Sequence, residues 1–225
     1  VRRALLLDTE TTGIDPSVDK IVEVAVCLFD LELGCPIVSY ASLIQAASNA
    51  AESINGISAA ALAGAPHGIE VWRSVAELAS QADVVAAHNA EFDRSFVRAA
   101  GIESVAGRDW VCTMSDLDWG GSRKLVEIAL NHGVGVASIH RAAADVDIMA
   151  RLFARVRERG GDLPALFRRA ARPKALFYAL VSYENRQIAK AHGFGWDEAK
   201  HGKNWFRYMP PEDTEALPFQ VRRVA

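Results

Sequence analysis

The sequence predicts an α/β layer fold with a mixed sheet, and three patterns carry that prediction. Apolar, β-branched runs at 4–7, 21–29 and 36–44 follow one another across short connections, as in an antiparallel meander. After them, short apolar runs at 83–87 and 110–112 alternate with segments of helical periodicity, an order that lays helices on the faces of a sheet. Half of the 225 residues are hydrophobic and 24% are charged, the usage of an ordinary globular chain with a sizeable core.

Each element follows from its own residues. The run 4–7 ends in Asp8, and 21–29 (IVEVAVCLF) is long enough for a buried strand. The run 36–44 alternates apolar and polar positions. Helical spacing appears at 58–62 and 70–80, interrupted by Ala65-Pro66. Then come a buried strand at 83–87 (DVVAA), a helix at 91–100, a strand at 110–112 and a helix at 122–131 that stops before Gly133. Over 142–159 the apolar stripe Val146, Met149, Ala150, Phe153 and Val156 marks one helix face. Gly160-Gly161 and Arg172-Pro173 bracket the basic stretch LPALFRRAA, expected as a short linking helix. Beyond it lie an apolar run at 175–181, a helical segment at 183–192, and 193–209, whose aromatics alternate with charges as in a hairpin. The expected organisation is therefore a main domain at 1–160, a linker at 161–173 and a small basic module of strand, helix and hairpin at 174–225.

Charge divides the chain. It holds 25 Lys+Arg and 28 Asp+Glu, net −3; residues 1–150 contribute 10 and 20, net −10, and residues 151–225 contribute 15 and 8, net +7. An acidic body with a basic tail suits a body that gathers carboxylates around cations and a tail that meets a polyanion. Three widely spaced cysteines, Cys27, Cys35 and Cys112, form no CxxC, which argues against a disulfide framework and a zinc cluster and points to a reducing, cytoplasmic location. No apolar run approaches the ~20 residues that span a bilayer, and the first apolar stretch is too short for a signal-peptide core. Val1 in place of Met is what a trimmed start would give.

Three acidic segments stand out. Asp8 and Glu10 are two apart at the exit of a strand, so their side chains project to one side and can meet one ion. Thr11-Thr12-Gly13 follow, with small hydroxyls and a pliant backbone that permit close approach of a phosphate or sugar. The second segment, His88-Asn89-Ala90-Glu91-Phe92-Asp93, places Asp93 in the first turn of a helix, where a carboxylate also suits the helix dipole. In the third, His140-Arg141-Ala142-Ala143-Ala144-Asp145, His140 stands at a helix entrance and Asp145 about one turn in. Each alone fits an ordinary turn, cap or surface role. Asp147, Glu91 and Asp116 read as solvated charges, and His67, His132 and His201 have no partner pattern.

Together, in this order, the three segments resemble the motifs of the DEDDh family of 3′–5′ exonucleases. The matches are Asp8-Thr9-Glu10-Thr11-Thr12-Gly13, His88-Asn89-x-x-Phe92-Asp93 and His140-Arg141-x-x-x-Asp145, with Ile21-Val22-Glu23-Val24 and Trp110-Val111-Cys112-Thr113-Met114 similar to the exonuclease X and polymerase III proofreading branches. The resemblance covers about residues 4–158 and implies an RNase-H-like mixed five-stranded sheet flanked by helices. It implies an enzyme that hydrolyses the 3′-terminal phosphodiester of single-stranded or frayed nucleic acid, DNA in preference to RNA, releasing nucleoside 5′-monophosphates. An exoribonuclease of the ribonuclease T or oligoribonuclease kind is the alternative, and a non-catalytic nucleic-acid-binding protein a further one.

Charge building up on both attacking and leaving oxygens calls for two divalent ions ~3.5–4 Å apart, and hard Mg²⁺ or Mn²⁺ takes carboxylate oxygen. The resemblance implies that Asp8 bridges both ions, Glu10 and Asp145 complete one site and Asp93 supports the other, with His140 as the general base. It also implies that Thr11, Thr12 and Gly13 hold the terminal nucleotide, that Ile14 wedges against its base, that Phe92 packs beneath the site, and that Asn89 orients the turn. A polymerase or repair complex is the partner it suggests. In the C-terminal module, Lys190, Lys200, Lys203 and Arg207 interleave with Phe194, Trp196, Trp205 and Tyr208 as an expected stacking and phosphate-binding face.

Overall fold

The computed structural model describes residues 1–138 and 140–224. They form two compact units, Val1–Ala171 and Arg172–Ala225.

The first unit is a five-stranded mixed sheet between two layers of helices. Its strands are β1 (Arg3–Thr11), β2 (Ile21–Asp30), β3 (Cys35–Leu43), β4 (Val84–Ala87) and β5 (Trp110–Cys112), in the order β3-β2-β1-β4-β5. The meander β1-β2-β3 is antiparallel, whereas β4 runs parallel to β1, and β5 to β4. The helices are α1 (Glu52–Asn55), α2 (Ala59–Ala63), α3 (Gly68–Ser80), α4 (Ala90–Ala99), α5 (Glu103–Ala106), α6 (Leu125–Asn131), α7 (Ala142–Glu158) and α8 (Leu163–Ala170). Alternation along the strands sorts the core into two faces. Ala4 and Leu6 of β1 and Ala25, Cys27 and Phe29 of β2 pack on Val146, Met149, Ala150 and Phe153 of α7, the stripe expected from sequence. On the other face, Leu5, Leu7, Val24, Val26 and Leu28 pack on Val71, Trp72 and Val75 of α3 and on Phe96 and Val97 of α4.

The boundary differs from the expected linker. Leu163, Phe167 and Ala170 of α8 are buried in the α7 face of the core, with Asp162 capping the helix by accepting from Ala165 N at 2.9 Å. Residues 161–171 thus complete the first unit. Much of the basicity of the C-terminal third therefore belongs to the first unit: Arg151, Arg155 and Arg157 lie in α7, Arg159 follows it, and Arg168 and Arg169 end α8. Residues 172–225 keep nine Lys+Arg and six Asp+Glu, net +3.

The second unit is a four-stranded sheet of β6 (Ala175–Ala179), β7 (Gly195–Trp196), β8 (Trp205–Met209) and β9 (Val221–Arg223), ordered β7-β8-β6-β9, with α9 (Arg186–Ala191) and α10 (Glu198–His201). Its core joins Phe177, Ala189, Phe194 and Met209, and Trp205 packs against them. This corrects the expected stacking face. Phe194 is only 2% exposed, Trp205 faces the core, and Arg207 gives its guanidinium to the His192 carbonyl at 2.6 Å. Strand β9 was missed because Val-Arg-Arg is short and two-thirds basic, and it forms by pairing with β6.

Candidate active site

The site follows from strand parity. Asp8 and Glu10 continue the Ala4-Leu6 row past the end of the core, so they point to the α7 side, where Asp145 lies in the first turn of that helix. Ligand atoms of Asp8, Glu10 and Asp145 all lie within 4.8 Å of one another. Thr9 and Thr11 belong to the opposite row and are buried. The parallel pairing of β1 and β4 brings the C-terminal ends of both to one edge of the sheet, and the chain leaves β4 through His88 and Asn89 into α4. Asp93 therefore arrives on the other face. It is 2% exposed, and its Oδ1 accepts from Thr9 N at 3.0 Å and Thr9 Oγ1 at 2.8 Å. Asp93 stands outside the group of three, tied to the strand that carries two of them.

Electrostatics mark the group as short of positive charge. Burial, then Asp93, Asp145 and Glu10, hold the Asp8 carboxyl well above its ordinary range. Burial and the Asp145 charge push Glu10 up to about 7, and burial lifts Asp93 to about 7 against the hydrogen bonds from Thr9. Asp145 is raised by burial and pulled back by His140, whose backbone N–H also bonds its carboxylate. A donor set made only of carboxylate oxygens suits a hard divalent cation.

These shifts predict a pH dependence without divalent ions. Between about pH 4.5 and 7 the folded chain keeps protons on Glu10 and Asp93 that the unfolded chain releases, so stability falls as pH rises through that window. In EDTA the melting temperature at pH 7.5 is expected to be at least ~3 °C below that at pH 5.5, taking ~2–4 °C per kcal/mol for a chain of this size. Saturating Mg²⁺ or Mn²⁺ should reduce the drop; a melting temperature in EDTA that is flat or rises across the window would refute the charge deficit.

His140 is exposed at the entrance to α7 with φ 59°, a left-handed conformation that turns the chain sharply before the helix. Asn89 is likewise left-handed, φ 82°, and exposed. Phe92 is half-buried, its ring 4.9 Å from that of Phe96. The two threonine hydroxyls have partners within the turn. Thr11 Oγ1 donates to the Gly13 carbonyl, and Thr12 Oγ1 donates to Asp19 Oδ1 at 3.0 Å while accepting from Lys20 N at 3.0 Å. Both hydroxyls build the turn after β1 and leave it to the backbone and to Ile14, 86% exposed, to face outward. At Gly13 a Cβ would collide with the Asp19 carboxylate, which explains the glycine. The exposure of Ile14 rules out core packing as its role.

One contributor was not promoted from the sequence. Glu23 lies opposite Glu10 in the β1–β2 register, faces α7 and is 3% exposed. Its carboxylate accepts from Arg141 Nε at 3.0 Å, from Arg141 Nη2 at 2.8 Å and from Ala142 N at 3.0 Å. It pins the start of α7, and with it His140 and Asp145, to the sheet that carries Asp8 and Glu10. A charged residue inside an otherwise unbroken apolar strand was the available signal. Glu23→Ala is expected to lower kcat at least ~10-fold with little change in KM, since small misplacements of reacting groups are costly. Arg141→Lys, which keeps charge and loses the fork, should share the defect. A kcat within twofold of wild type in both variants would confine the pair to stability.

Residues 5–153 match the family described as "Exonuclease", and the chain belongs to that family. Residues 175–224 match a separate domain of unknown function (DUF8626). DNA polymerase III PolC-type from Thermotoga petrophila is 30% identical over 167 residues, which are 67% of this chain and 12% of that protein, and the Thermotoga maritima protein matches equally. The chain thus spans about an eighth of the length of these relatives. Among solved structures, exonuclease X in complex with 5′ overhanging duplex DNA is 23% identical, with TM-score 0.56 over 74% of this chain and 99% of that one. The nuclease domain of 3′hExo, a DEDDh family member bound to rAMP, is 17% identical with TM-score 0.58, covering 72% and 94%. E. coli exonuclease I with a dT13 oligonucleotide is 13% identical with TM-score 0.61, covering 98% and 69%. The fold is the RNase-H-like exonuclease fold.

Proposed function

We propose that this chain is a 3′–5′ exonuclease that uses two Mg²⁺ or Mn²⁺ ions to hydrolyse the terminal phosphodiester of single-stranded or frayed DNA and release nucleoside 5′-monophosphates. The observation that carries the reading is the convergence of Asp8, Glu10 and Asp145 beside His140 in a member of the exonuclease family. Asp8, Glu10 and Asp145 would hold one ion, and Asp93, whose charge acts on Asp8 and whose carboxylate is bonded to Thr9 of β1, would support the other. Bound divalent ions supply positive charge to the attacking and leaving oxygens. His140, exposed to solvent, accepts the proton of the attacking water. The backbone of the turn at 11–14 borders the terminal nucleotide, with Ile14 against its base, a contact indifferent to base identity. The PolC-type relatives suggest a place beside a polymerase, as a proofreading activity.

A second reading, an exoribonuclease, draws on the neighbour bound to rAMP. Digestion of matched 5′-labelled DNA and RNA oligonucleotides with Mg²⁺, Mn²⁺ or EDTA decides. The expected result is a ladder shortening from the 3′ end of DNA, abolished by EDTA. Faster loss of RNA selects the second reading, and EDTA-resistant cleavage or products from the 5′ end overturn both.

A further inference from the structure

The face of the second unit's sheet opposite its core carries an aromatic row with a cation at one end. Register places Gly195 of β7, Phe206 of β8, Tyr178 of β6 and Arg222 of β9 side by side across all four strands. Their neighbours along the strands, Phe177 and Met209, point into the core, so this row points away from it. Glycine at the outer position lets the Phe206 ring lie against the β7 backbone. His201, the last residue of α10 between β7 and β8, stacks on Phe206 with ring centroids 3.9 Å apart and planes at 29°. Two residues along β8, Tyr208 stands on the same face and is 56% exposed. The Arg222 guanidinium, exposed, lies 5.4 Å from the centre of the Tyr178 ring.

From this arrangement we infer that the open sheet face is a binding platform for single-stranded DNA, with unpaired bases stacked on Tyr208 and the His201–Phe206 pair and a phosphate held by Arg222. Charge argues for a polyanion. The unit is net +3, and two of its six acids, Glu212 and Asp213, are paired with Arg172 at 2.8 and 2.7 Å. Chemistry argues for unpaired bases. A four-stranded sheet offering aromatic faces beside a cation matches the stacking and phosphate needs of a single strand whatever its sequence. The proposal rests on the reading that the first unit degrades single-stranded DNA, for which a second, sequence-tolerant hold on the strand keeps long substrates bound between turnovers. It keeps Tyr208 of the face expected from sequence and leaves out Phe194 and Trp205, which pack in the core, and Arg207, which bonds the His192 carbonyl.

The test uses the full chain in EDTA, so that binding is read apart from cleavage. Fluorescence anisotropy of a labelled (dT)20 is expected to show binding by the wild type that weakens ~5- to 100-fold in Tyr208→Ala, the range of base–aromatic stacking, and is kept in Tyr208→Phe. Arg222→Ala should weaken binding and make the slope of log Kd against log salt shallower by ~0.7, one phosphate contact on a single strand. Hydrolysis of a dinucleotide with Mg²⁺, which offers the active site only its scissile bond, should stay within twofold of wild type in all three variants. Wild-type affinity and salt slope in folded Tyr208→Ala and Arg222→Ala overturn the platform, as does no binding of (dT)20 by the wild type. Failure of the wild type to cleave any substrate while the variants lose binding would overturn the exonuclease reading and leave the platform standing.

Discussion

Asp8→Asn is expected to remove at least ~10²-fold of turnover, and in practice nearly all of it, while the chain stays folded. Asp8 is the member of the group that feels every other acid: its carboxyl is raised by burial and by Asp93, Asp145, Glu10 and Glu23 in that order. The same position makes it the residue best placed to share a cation with Glu10 and Asp145. An amide keeps the shape and loses the charge, so positive charge meant for the developing oxyanions is no longer held in place. The signature separating this from unfolding is in stability. Without divalent ions, Asp8→Asn should melt higher than wild type at pH 7.5, because the variant no longer buries a carboxyl among acidic neighbours that disfavour its charged form. With Mg²⁺ or Mn²⁺ the wild type should gain in melting temperature and the variant should gain far less. A variant that retains more than about a tenth of wild-type rate, or an unaltered metal-induced gain, would remove Asp8 from the ion-binding group.

What the sequence disclosed and what it hid follow from how far each signal reaches along the chain. The strands β1 and β2 and the helix α7 were legible because their periodicity is local, and the i, i+2 spacing of Asp8 and Glu10 fixes a shared side on any extended backbone. Parity was legible in principle too: Thr9 sits on the odd row, so its partner Asp93 comes from the face of α4, away from α7. Which face each crossover helix takes is a tertiary matter, so the sequence motif alone does not show that Asp93 reaches Asp8 through Thr9 and not beside Asp145. The helix α8 is legible as a helix, but its composition hides that it belongs to the core and not to a linker. Arg168 and Arg169 dominate its short sequence, although Leu163, Phe167 and Ala170 at i, i+4 and i+7 already describe a buried stripe. The Thr11 and Thr12 hydroxyls find partners two and seven residues on, but only the folded turn brings Gly13 and Asp19 to them. Glu23 depends on Arg141, more than a hundred residues away, and no window along the chain contains both.

His140→Ala is expected to slow the reaction by ~10²–10⁴-fold, the range lost with a general base, and to leave ion binding nearly intact. The geometry separates the two jobs. The backbone N–H of His140 bonds Asp145, and that contact survives any side chain at the position; the imidazole itself is exposed. The left-handed φ of 59° suits histidine better than alanine, but the turn into α7 is held independently by Glu23 on Arg141 and Ala142 and should persist. Metal-induced gain in melting temperature should then match wild type, in contrast to Asp8→Asn. The pH–rate profile supplies the decisive reading. If His140 takes the proton of the attacking water, an acid limb in the wild-type profile should flatten in His140→Ala. Burial pushes Glu10 and Asp93 up to about 7 without ions, but bound divalent ions favour their charged forms, so at saturating Mg²⁺ neither should contribute an acid limb. An acid limb unchanged in His140→Ala at saturating ion, or a rate within tenfold of wild type, would assign the proton transfer to another group and leave His140 as the residue that shapes the turn before Asp145.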